Sequence, residues 1–346
     1  MLDGLTLDLP LLQAPMAGVS TPAMAAAVCM AGGLGAIALG ASRPDAAAQM
    51  IAETRTRTDR PFAVNLFVHA PPRRDPVGEA AWCDALRPAF ADHGAEPPTS
   101  LHAIYPSFRD DDAMLALLIE GRPAVVSFHF GLPRPEQIVA LKEAGCRLLA
   151  SATSLAEAQA AEQAGMDGIV AQGHEAGGHR GMFDPDAPDD RLGTLVLTRL
   201  LATRMAVPVI AAGGIMDGAG VSAALALGAA AAQLGTAFIA CPESAADAAY
   251  RAALLGPGAA HTVMTRAISG RPARCLPNRF TALGETLNGP VPKYPVAYDA
   301  GKALNAAAKA GGEAGYGAQW AGQGAPLARA MPAAALVATI AGEMRR

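Results

Sequence analysis

Residues 208–229 have the sequence PVIAAGGIMDGAGVSAALALGA, and this stretch decides the fold class. It opens with an uninterrupted apolar run, PVIAA, which is followed by Gly213, Gly214 and an Ala- and Leu-rich stretch that begins near Asp217. A continuous apolar run of this length is typical of a parallel strand that is buried on both faces. The segment therefore predicts a strand, a glycine turn and a helix, which together form the repeating unit of α/β proteins.

The same unit recurs along the chain, because short apolar runs alternate with helix-length stretches. The predicted strands are 9–14, 34–39, 62–67, 124–128, 147–150, 168–171, 208–211 and 232–234, and the predicted helices lie near 22–31, 43–56, 110–120, 134–144, 154–164, 194–204 and 217–227. Eight such units favour an α/β fold of the (β/α)8 TIM barrel type, although an open doubly wound sheet has similar local patterns. The barrel is preferred because no GxGxxG motif follows the first strand, whereas glycines gather after strands six, seven and eight.

Two segments interrupt this rhythm. Residues 69–109, rich in Pro, Arg and Asp, are predicted to form an insertion after the third strand. Residues 242–320 follow the eighth strand and are predicted to form a small, mostly helical cap over the barrel mouth. The barrel itself then spans 1–241, and residues 321–346 are predicted to end in a helix that packs back onto it.

Composition excludes several classes of protein. The 346 residues are 51% hydrophobic and carry a net charge of −4, so we expect a large core and no nucleic-acid partner. The five cysteines show no CxxC pair or metal-type spacing, which favours reduced thiols and no bound metal. Residues 1–12 contain two Asp and no basic residue, unlike a secretion leader, and the apolar run 22–30 is too short to cross a bilayer. These features predict a cytoplasmic protein without a membrane partner.

The polar segment GIVAQGHEAGGHRG, residues 168–181, is the most informative for chemistry. Gln172 stands where the sixth strand ends, so its amide is predicted to point into the barrel mouth, while Gly177 allows close approach of a ligand. His179 follows in what is predicted to be a loop, and its pKa near neutrality suits proton transfer. A lone histidine is more often structural, but this placement favours catalysis. A metal pair with His174 has little support from the spacing.

Two glycine turns predict a phosphate site. Gly213 and Gly214 follow the seventh strand, and the run Gln233 to Thr236, in AAQLGTAF, ends the eighth. In TIM barrels the loops after these two strands often bind phosphate through backbone N–H groups. A glycine pair after a strand is also found in simple tight turns, but its occurrence at both positions favours phosphate binding.

The first and third strands contribute two further candidates. The loop in LLQAPMAGVSTP, residues 11–22, presents Ala14, Pro15 and Met16, whose exposed backbone suits contact with a flat ring. Asn65, in AVNLF, is a polar residue within a buried strand and needs a partner. That partner is either a bound cofactor or another group of the protein.

Taken together, the motifs QAPMAGVSTP, AGGLG, VNLF, AQGHEAGGHRG, PVIAAGGI and QLGTAF resemble the nitronate monooxygenase family, formerly called 2-nitropropane dioxygenase. The resemblance spans nearly the whole chain and is strongest to the bacterial class that acts on propionate 3-nitronate. The segment KYPVAYDAGKAL, residues 293–304, resembles the family's substrate segment.

The resemblance implies an FMN cofactor, a catalytic His179 and a substrate pocket. The residues that match the FMN site, together with those of the loops described above, are Ala14, Pro15, Met16, Asn65, Gln172, Gly177, Gly213, Gly214, Gln233, Leu234, Gly235 and Thr236. The residues that match the substrate pocket are Tyr105, His129, Tyr294, Tyr298 and Lys302.

The spacing of the last three substrate residues agrees with this implication. Tyr294, Tyr298 and Lys302 are four residues apart, so a helix would place them on one face. Such a face could bind an anionic nitronate, its charge offset by Lys302, the tyrosines and, when protonated, His179. An amphipathic helix with a snorkelling lysine has the same spacing.

The resemblance implies the oxidation of small nitronates or nitroalkanes by dioxygen to an oxo-acid and nitrite or nitrate, a detoxification reaction. The sequence leaves open whether the protein is a monomer or a dimer. An NAD(P)H-dependent FMN reductase acting on enoyl groups or quinones is an alternative on the same barrel. A flavin-free phosphate-binding isomerase or aldolase is a second. A Schiff-base aldolase, however, needs a lysine at a strand end, and none of the four lysines follows a predicted strand.

Overall fold

The computed structural model describes residue 5 and residues 7–344, so part of the N-terminal segment that was compared with a secretion leader lies outside the described residues. The strands within this part of the chain are β1 (Leu11–Gln13), β2 (Ala36–Ala38), β3 (Ala63–Phe67), β4 (Val125–His129), β5 (Arg147–Ala152), β6 (Gly168–Gln172), β7 (Gly178–His179), β8 (Val209–Ala212), β9 (Ala231–Leu234), β10 (Val263–Thr265) and β11 (Ala273–Cys275).

The α-helices are α1 (Pro22–Met30), α2 (Pro44–Arg57), α3 (Pro76–Ala91), α4 (Asp112–Gly121), α5 (Pro135–Glu143), α6 (Leu155–Gln163), α7 (Thr194–Ala202), α8 (Gly218–Ala226), α9 (Thr236–Ile239), α10 (Ala248–Leu255), α11 (Arg279–Thr286), α12 (Val296–Ala310) and α13 (Ala333–Met344). Short 3-10 turns occur at Phe108–Asp110, Pro257–Ala260 and Ala325–Leu327.

Eight parallel strands form a barrel, in the order β1-β9-β8-β6-β5-β4-β3-β2. The two ends of this sheet meet at a parallel bridge between Leu12 and Leu34. There the Gln13 N–H donates to the Leu34 carbonyl and the Leu34 N–H donates to the Leu11 carbonyl, each at 2.9 Å. The predicted (β/α)8 barrel is confirmed, and the open sheet is excluded.

Apolar side chains from all eight strands fill the barrel interior. One buried cluster contains at least one residue of each of the eight barrel strands, together with Leu34, which precedes β2. Its members are Leu12, Leu34, Ala36, Ala63, Val125, Leu149, Val170, Ile210, Ala212 and Ala231. These side chains pack as a plug, so the interior is a core rather than a pore. Asn65 and Gln172, which line the cavity, lie further toward the carboxyl ends of their strands than the core residues Ala63 and Val170.

Helix starts follow the capping signals in the sequence. Thr21 caps α1, where its hydroxyl accepts from the Met24 N–H at 3.0 Å and Pro22 takes the first helical position. Asp217 caps α8 in the same way and accepts from the Gly220 N–H at 2.8 Å. The strand, glycine turn and helix predicted over residues 208–229 are therefore all present.

The segment 69–109 contains a 16-residue helix, α3, that the sequence reading did not predict. Asp75 caps this helix, and Trp82, Leu86 and Phe90 recur every four residues along its buried face. That face packs against α12 rather than against the barrel. The capping residue and the four-residue spacing are both present in the sequence. The helix was not predicted because the many Pro and Arg residues of this segment favoured an irregular insertion.

Residues 242–320 contain α10, α11 and α12 together with two strands of a small antiparallel sheet, whose order is β10-β11-β7. The third strand of that sheet is the pair Gly178–His179, so His179 lies on a strand and not in a loop. In this pairing His179 stands opposite Ala273. The sheet joins the loop after β6 to the segment above the barrel mouth, which fixes the height of His179 over the mouth.

The C-terminal helix α13 packs on the outside of the barrel. Its side chains Leu336, Val337 and Ile340 are buried among residues of α1 and α8, including Val28 and Val221. Glu243, which follows α9, accepts from the first N–H of α13 at 3.1 Å. The carboxylate therefore ties the start of the last helix to the end of the barrel.

Among the described residues, no helix combines the length and apolarity needed to cross a bilayer. The same part of the chain holds no group of three or more His, Cys, Asp or Glu side chains arranged for a metal ion. All five cysteines are free and buried, and burial raises the pKa of the Cys241 and Cys275 thiols to about 12. These thiols are therefore protonated and unreactive at neutral pH.

Candidate active site

A cavity of about 570 Å³ lies at the carboxyl ends of the barrel strands. Its volume is in the range of about 300–1,000 Å³ that is usual for cofactor and ligand sites. Lys302 is the only Lys or Arg among its described lining residues, and no Asp or Glu is among them. The cavity therefore favours an anionic ligand.

The structure brings together in this cavity every site residue predicted from the sequence except Leu234. Leu234 is buried in the packing between the barrel and its outer helices, where it contacts the cluster that contains Leu11 and Phe238. Successive side chains of a strand point to opposite faces. Because Gln233 faces the cavity, the side chain of its neighbour Leu234 faces away from it. A contact of Leu234 with a cofactor stays a prediction and would have to be made by its backbone.

The two glycine turns form one end of the cavity. Gly213 and Gly214 have φ angles of +123° and +69°, which residues with a side chain rarely adopt. Within the described residues, the backbone N–H groups of Gly213, Gly214, Gly235 and Thr236 donate to no acceptor of the chain. Amides that are left unpaired at a cavity wall are suited to binding the oxygens of an anion.

The loop after β1 is held open by a residue that the sequence reading missed. The Gln13 side chain accepts from the Ala36 N–H at 2.9 Å and donates to the Ser20 hydroxyl at 2.8 Å. Ser20 in turn accepts from the Met16 N–H at 2.9 Å. These bonds fix the loop that presents Ala14, Pro15 and Met16 to the cavity.

Asn65 has a partner within the protein. Its Nδ2 group donates to the Ser127 hydroxyl at 2.9 Å and to the Ser127 carbonyl at 3.1 Å. Both amide hydrogens are thereby used, and the side-chain oxygen of Asn65 is left as the group that a ligand in the cavity can reach.

Gln172 also bonds to the protein itself. Its Nε2 group donates to the His179 carbonyl at 3.0 Å, and its Oε1 atom accepts from the Gly181 N–H at 2.7 Å. The sequence reading assigned this amide to the edge of a ligand ring. In the structure it fixes the backbone on both sides of His179, so its main effect is to position that residue.

His179 lies at the other end of the cavity, inside a ring of aromatic side chains. Its ring centroid is 5.0 Å from that of Trp320, 5.4 Å from Tyr294, 5.6 Å from Phe130 and 6.2 Å from Tyr298. The Nε2 atom lies 2.9 Å from the hydroxyl oxygen of Ser269. The Nδ1 atom has no partner among the described residues, and it is the ring nitrogen left for a ligand.

Burial lowers the pKa of His179 to about 3, with further lowering from His129 and from the charge of Arg271. Burial likewise lowers the pKa of His129 to about 4, with Arg271 and Arg180 as further causes. Both imidazoles are therefore neutral at pH 7. The expectation that a protonated His179 offsets an anionic charge is not supported, because burial and the nearby charge of Arg271 both favour the neutral imidazole.

The tautomer of His129 follows from its partner. Its Nε2 atom lies 3.2 Å from the His179 carbonyl oxygen, which can only accept, so Nε2 carries the hydrogen. His129 and Gln172 therefore both donate to this one carbonyl. The backbone at His179 is held from two sides.

The residues predicted to lie on one helix face are only partly on a helix. Tyr298 and Lys302 lie one turn apart on α12, whereas Tyr294 precedes the helix. The Lys302 ammonium lies 4.9 Å from the ring centroid of Tyr105 and 5.7 Å from that of Tyr298. Cation–π contacts with both rings hold this charge beside the cavity, although the Lys302 side chain is exposed to solvent.

The comparisons with known proteins agree with the motifs. The sequence model of the nitronate monooxygenase family matches residues 1–343. The chain belongs to the nitronate monooxygenase family. It is 61% identical to a nitronate monooxygenase of Paraburkholderia phytofirmans over 100% of this chain and 95% of that one. It is 56% identical to a nitronate monooxygenase of Pseudomonas aeruginosa, with 97% and 96% covered. The recognition made from the sequence is confirmed, and the protein is an oxidoreductase.

Solved structures show the same fold over nearly the whole chain. A nitroalkane oxidase from Streptomyces ansochromogenes aligns with a TM-score of 0.90 at 42% identity, covering 98% of this chain and 96% of that one. FabK from Thermotoga maritima aligns with a TM-score of 0.73 at 31% identity, covering 98% and 93%. The barrel and the segment above it are therefore common to this nitronate monooxygenase family member and to the nitroalkane oxidase.

Three residues around His179 in this family member were missed by the sequence reading: Trp320, Ser269 and Phe130. Trp320 stands in a Gly-rich stretch, and as one of only two tryptophans it could have been noticed. Ser269 and Phe130 carry no local signal, because each contacts His179 only through the folding of distant segments.

Proposed function

We propose that this protein is an FMN-dependent enzyme that oxidises small anionic alkyl nitronates with dioxygen, propionate 3-nitronate among them. One observation carries the proposal: a single cavity joins a cluster of unpaired backbone amides at one end to a neutral His179 and an exposed cation at the other. The first end suits a phosphate group, and the second suits a small anionic substrate.

The residues present fit FMN. The amides of Gly213, Gly214, Gly235 and Thr236 are donors without acceptors, as a phosphate site requires. Asn65 offers an acceptor on the way to His179. The residues that would hold the group are these five together with the loop residues Ala14, Pro15, Met16, Gln233 and Gly177. When bound, FMN supplies the electron-transfer chemistry with dioxygen, and the protein supplies position and charge.

At the substrate end of the cavity, different residues of the chain have different roles. Lys302 attracts the anion, and Tyr105 and Tyr298 hold its ammonium in place. The aromatic rings around His179 give the bound substrate a largely apolar surrounding. For a neutral nitroalkane, the free Nδ1 atom of His179 is the group that accepts the α-proton. The low pKa that burial gives this imidazole makes it a weak base, so a nitronate, which needs no proton transfer, is the favoured substrate. A nitronate already lacks that proton and does not need this step.

The products would be an oxo-acid, or another oxo compound for other nitronates, with nitrite or nitrate. Such a reaction removes a reactive nitronate, and we assign it a detoxifying role in the cytoplasm. The alternative of a Schiff-base aldolase has no support at the site, since Lys142 lies on α5 and Lys302 on α12, and neither Lys293 nor Lys309 lies at the end of a barrel strand.

Oxygen uptake tests the proposal directly. The purified protein should be yellow, release FMN on denaturation, and consume oxygen with propionate 3-nitronate as the only added substrate. The matched measurement replaces the nitronate with NADH. Fast anaerobic bleaching of the flavin by NADH, without oxygen uptake from the nitronate, would assign the protein to the NAD(P)H-dependent reductases instead. A colourless protein that does not bind added FMN would exclude both.

A further inference from the structure

Arg271 is a buried cation beside the site without an acidic partner. Its side chain is 2% exposed, and in the described residues no carboxylate forms an ion pair with it. One guanidinium nitrogen donates to the Met182 carbonyl, whereas Nε is buried and has no acceptor. Burial lowers the pKa of Arg271 to about 10, which leaves it charged at neutral pH. A buried charge with so few partners is destabilising, and such features concentrate at functional sites.

Two neighbouring arginines show that this arrangement is specific. Arg180, 1% exposed, forms a two-pronged ion pair with Asp189 at 2.9 and 3.0 Å. Arg274, 4% exposed, lacks a carboxylate but donates twice to the His174 carbonyl, at 3.1 and 2.8 Å. Arg271 has neither arrangement. The carboxylates of Glu157 and Asp184 favour its charge only from a distance, without an ion pair.

A single aromatic ring separates this charge from the cavity wall. The Arg271 guanidinium carbon lies 4.1 Å from the ring centroid of Phe130. The same ring lies 4.5 Å from His129, 5.6 Å from His179 and 5.2 Å from Tyr294, all of which line the cavity. Because the ring on this path is apolar and buried, the positive potential of Arg271 is weakly screened where it reaches the cavity.

The unusual backbone conformation of Phe130 indicates that the position of its ring is enforced by the surrounding residues. Phe130 has a φ angle of +78°, which is rare for a bulky residue and persists only where the surroundings enforce it. The ring itself is 1% exposed and packs between Arg271 and the residues of the cavity wall. The packing that holds Phe130 in this conformation thus keeps its ring between the cation and the site.

We propose that Arg271 is a specificity-determining residue whose unpaired buried charge makes the inner cavity prefer small planar oxyanions of the nitronate class over neutral nitro compounds. This deepens the proposed function and rests on it for the identity of the substrate. Lys302 attracts anions from outside and is exposed, whereas Arg271 acts from behind the wall. The two cations therefore differ in their response to salt.

Calorimetric binding to the FMN-loaded protein, without oxygen, tests this inference with nitrate and 2-methyl-2-nitropropane. Nitrate is an unreactive planar oxyanion, and 2-methyl-2-nitropropane is a neutral nitro compound that has no α-hydrogen and cannot become a nitronate. We expect Arg271→Met and Arg271→Gln to weaken nitrate binding about tenfold, the effect of a unit charge on the order of 10 Å away at an effective dielectric constant of about 20. Binding of the neutral nitro compound should change by less than about twofold, and Arg271→Lys should keep most of the nitrate affinity.

Two controls make the result specific. Arg274→Met removes a comparably buried arginine that faces His174, and it should leave the ratio of the two affinities unchanged. Arg271→Gln keeps a donor for the Met182 carbonyl, so it serves if the methionine variant does not fold. In Arg271→Met and Arg271→Gln the loss of nitrate affinity should be the same at low and high salt, since the charge removed is buried.

The inference is overturned if the wild type does not bind nitrate, if Arg271→Met or Arg271→Gln weakens both ligands equally, or if Arg274→Met has the same effect. Oxygen uptake with propionate 3-nitronate is measured separately on the wild type. If that reaction is absent while nitrate selectivity still depends on Arg271, the proposed function fails and the inference about charge selectivity stands.

Discussion

The Nε2 atom of His179 and the hydroxyl oxygen of Ser269 lie 2.9 Å apart. The same hydroxyl lies 3.3 Å from the Arg271 carbonyl, which can only accept a hydrogen. Both contacts are satisfied when Ser269 donates to that carbonyl and accepts from Nε2–H of the imidazole. Nε2 then carries the hydrogen, and Nδ1 keeps the free lone pair. The serine thus selects the tautomer in which the cavity-facing nitrogen is a base.

Replacing His179 by Asn should separate the two substrate classes. Nitroalkane turnover requires removal of the α-proton, so we expect its kcat/KM to fall about 10²- to 10⁴-fold. Nitronate turnover should fall far less, because the proton is already absent. Oxygen uptake with nitroethane and with ethyl nitronate measures both. Equal losses for the two substrates would exclude the role of His179 as a base.

Ser269→Ala should act through His179. Without the serine hydroxyl the two imidazole tautomers become more equal in population, so less of the protein has a free lone pair on Nδ1. We therefore expect a loss of roughly tenfold in kcat/KM for nitroethane. In the double variant Ser269→Ala, His179→Asn, the loss should match that of His179→Asn alone, since no imidazole remains to be oriented. Additive losses in this double-mutant cycle would show that Ser269 acts independently of His179.

The parts of the fold and site that could be predicted from the sequence have local signals. An apolar run that ends in a polar residue or a glycine pair locates the rim of a barrel, which placed Gln172 and Gly213 at the cavity. Asn65, in the middle of β3, was found because a polar residue within a buried strand needs a partner. The βα rhythm itself predicted the eight strands, because buried parallel strands are continuous apolar runs. The capping residue Thr21 defined its helix start to the residue.

The parts that could not be predicted depend on distant contacts. Ser269, Arg271 and Phe130 meet only where β7 pairs with β11, and a two-residue strand has no periodicity to detect. The low pKa of His179 depends on burial beneath the segment 242–320, which composition does not reveal. The hydrogen bonds of the Gln172 side chain to the backbone of His179 and Gly181 likewise depend on tertiary structure.

Lys302→Met should weaken the binding of anionic substrates. The Lys302 ammonium is exposed, so its attraction is long-range and screened by salt. We expect KM for propionate 3-nitronate to rise roughly tenfold at low ionic strength, with little change in kcat. The difference from wild type should shrink as salt is added. Lys309→Met is the matched control, because Lys309 lies on the same helix and is paired with Asp247. A salt-independent loss would contradict this role.

Gly213→Ala should release FMN. An added Cβ would lie 2.6 Å from the Thr194 hydroxyl oxygen and 3.1 Å from the Ala176 nitrogen, at a φ of +123°. We expect a loss of about 1–3 kcal/mol in the free energy of unfolding and at least tenfold weaker FMN retention. Urea denaturation and flavin fluorescence after filtration measure the two effects. Gly342→Ala, where nothing lies within 4 Å of the added Cβ, should keep both properties. Normal FMN retention in Gly213→Ala would exclude this turn from the phosphate site.

The free energy of unfolding should decrease as the pH is lowered from about 6.5 to 5. Burial lowers the pKa of His179 to about 3 and of His129 to about 4, whereas in the unfolded chain both lie near 6.5. In this window the unfolded state binds protons that the native state does not, so acid favours unfolding. Well below pH 6.5, each histidine contributes a slope of about 1.4 kcal/mol per pH unit. His69 and His174, whose pKa values burial also lowers, add to the slope with the same sign.

Urea denaturation at pH 7, 6 and 5 measures this slope, and carboxylates contribute little to it because most of them titrate below that range. His179→Asn and His129→Gln should each reduce the slope by the contribution of one histidine, about 1.4 kcal/mol per pH unit, since each removes one group that is buried in its neutral form. His261→Asn, at an exposed position, serves as the control. If the slope of the His179→Asn variant equals that of the wild type, the imidazole must be able to take up a proton in the folded protein. Nδ1 would then be charged in mild acid and could not accept the α-proton there.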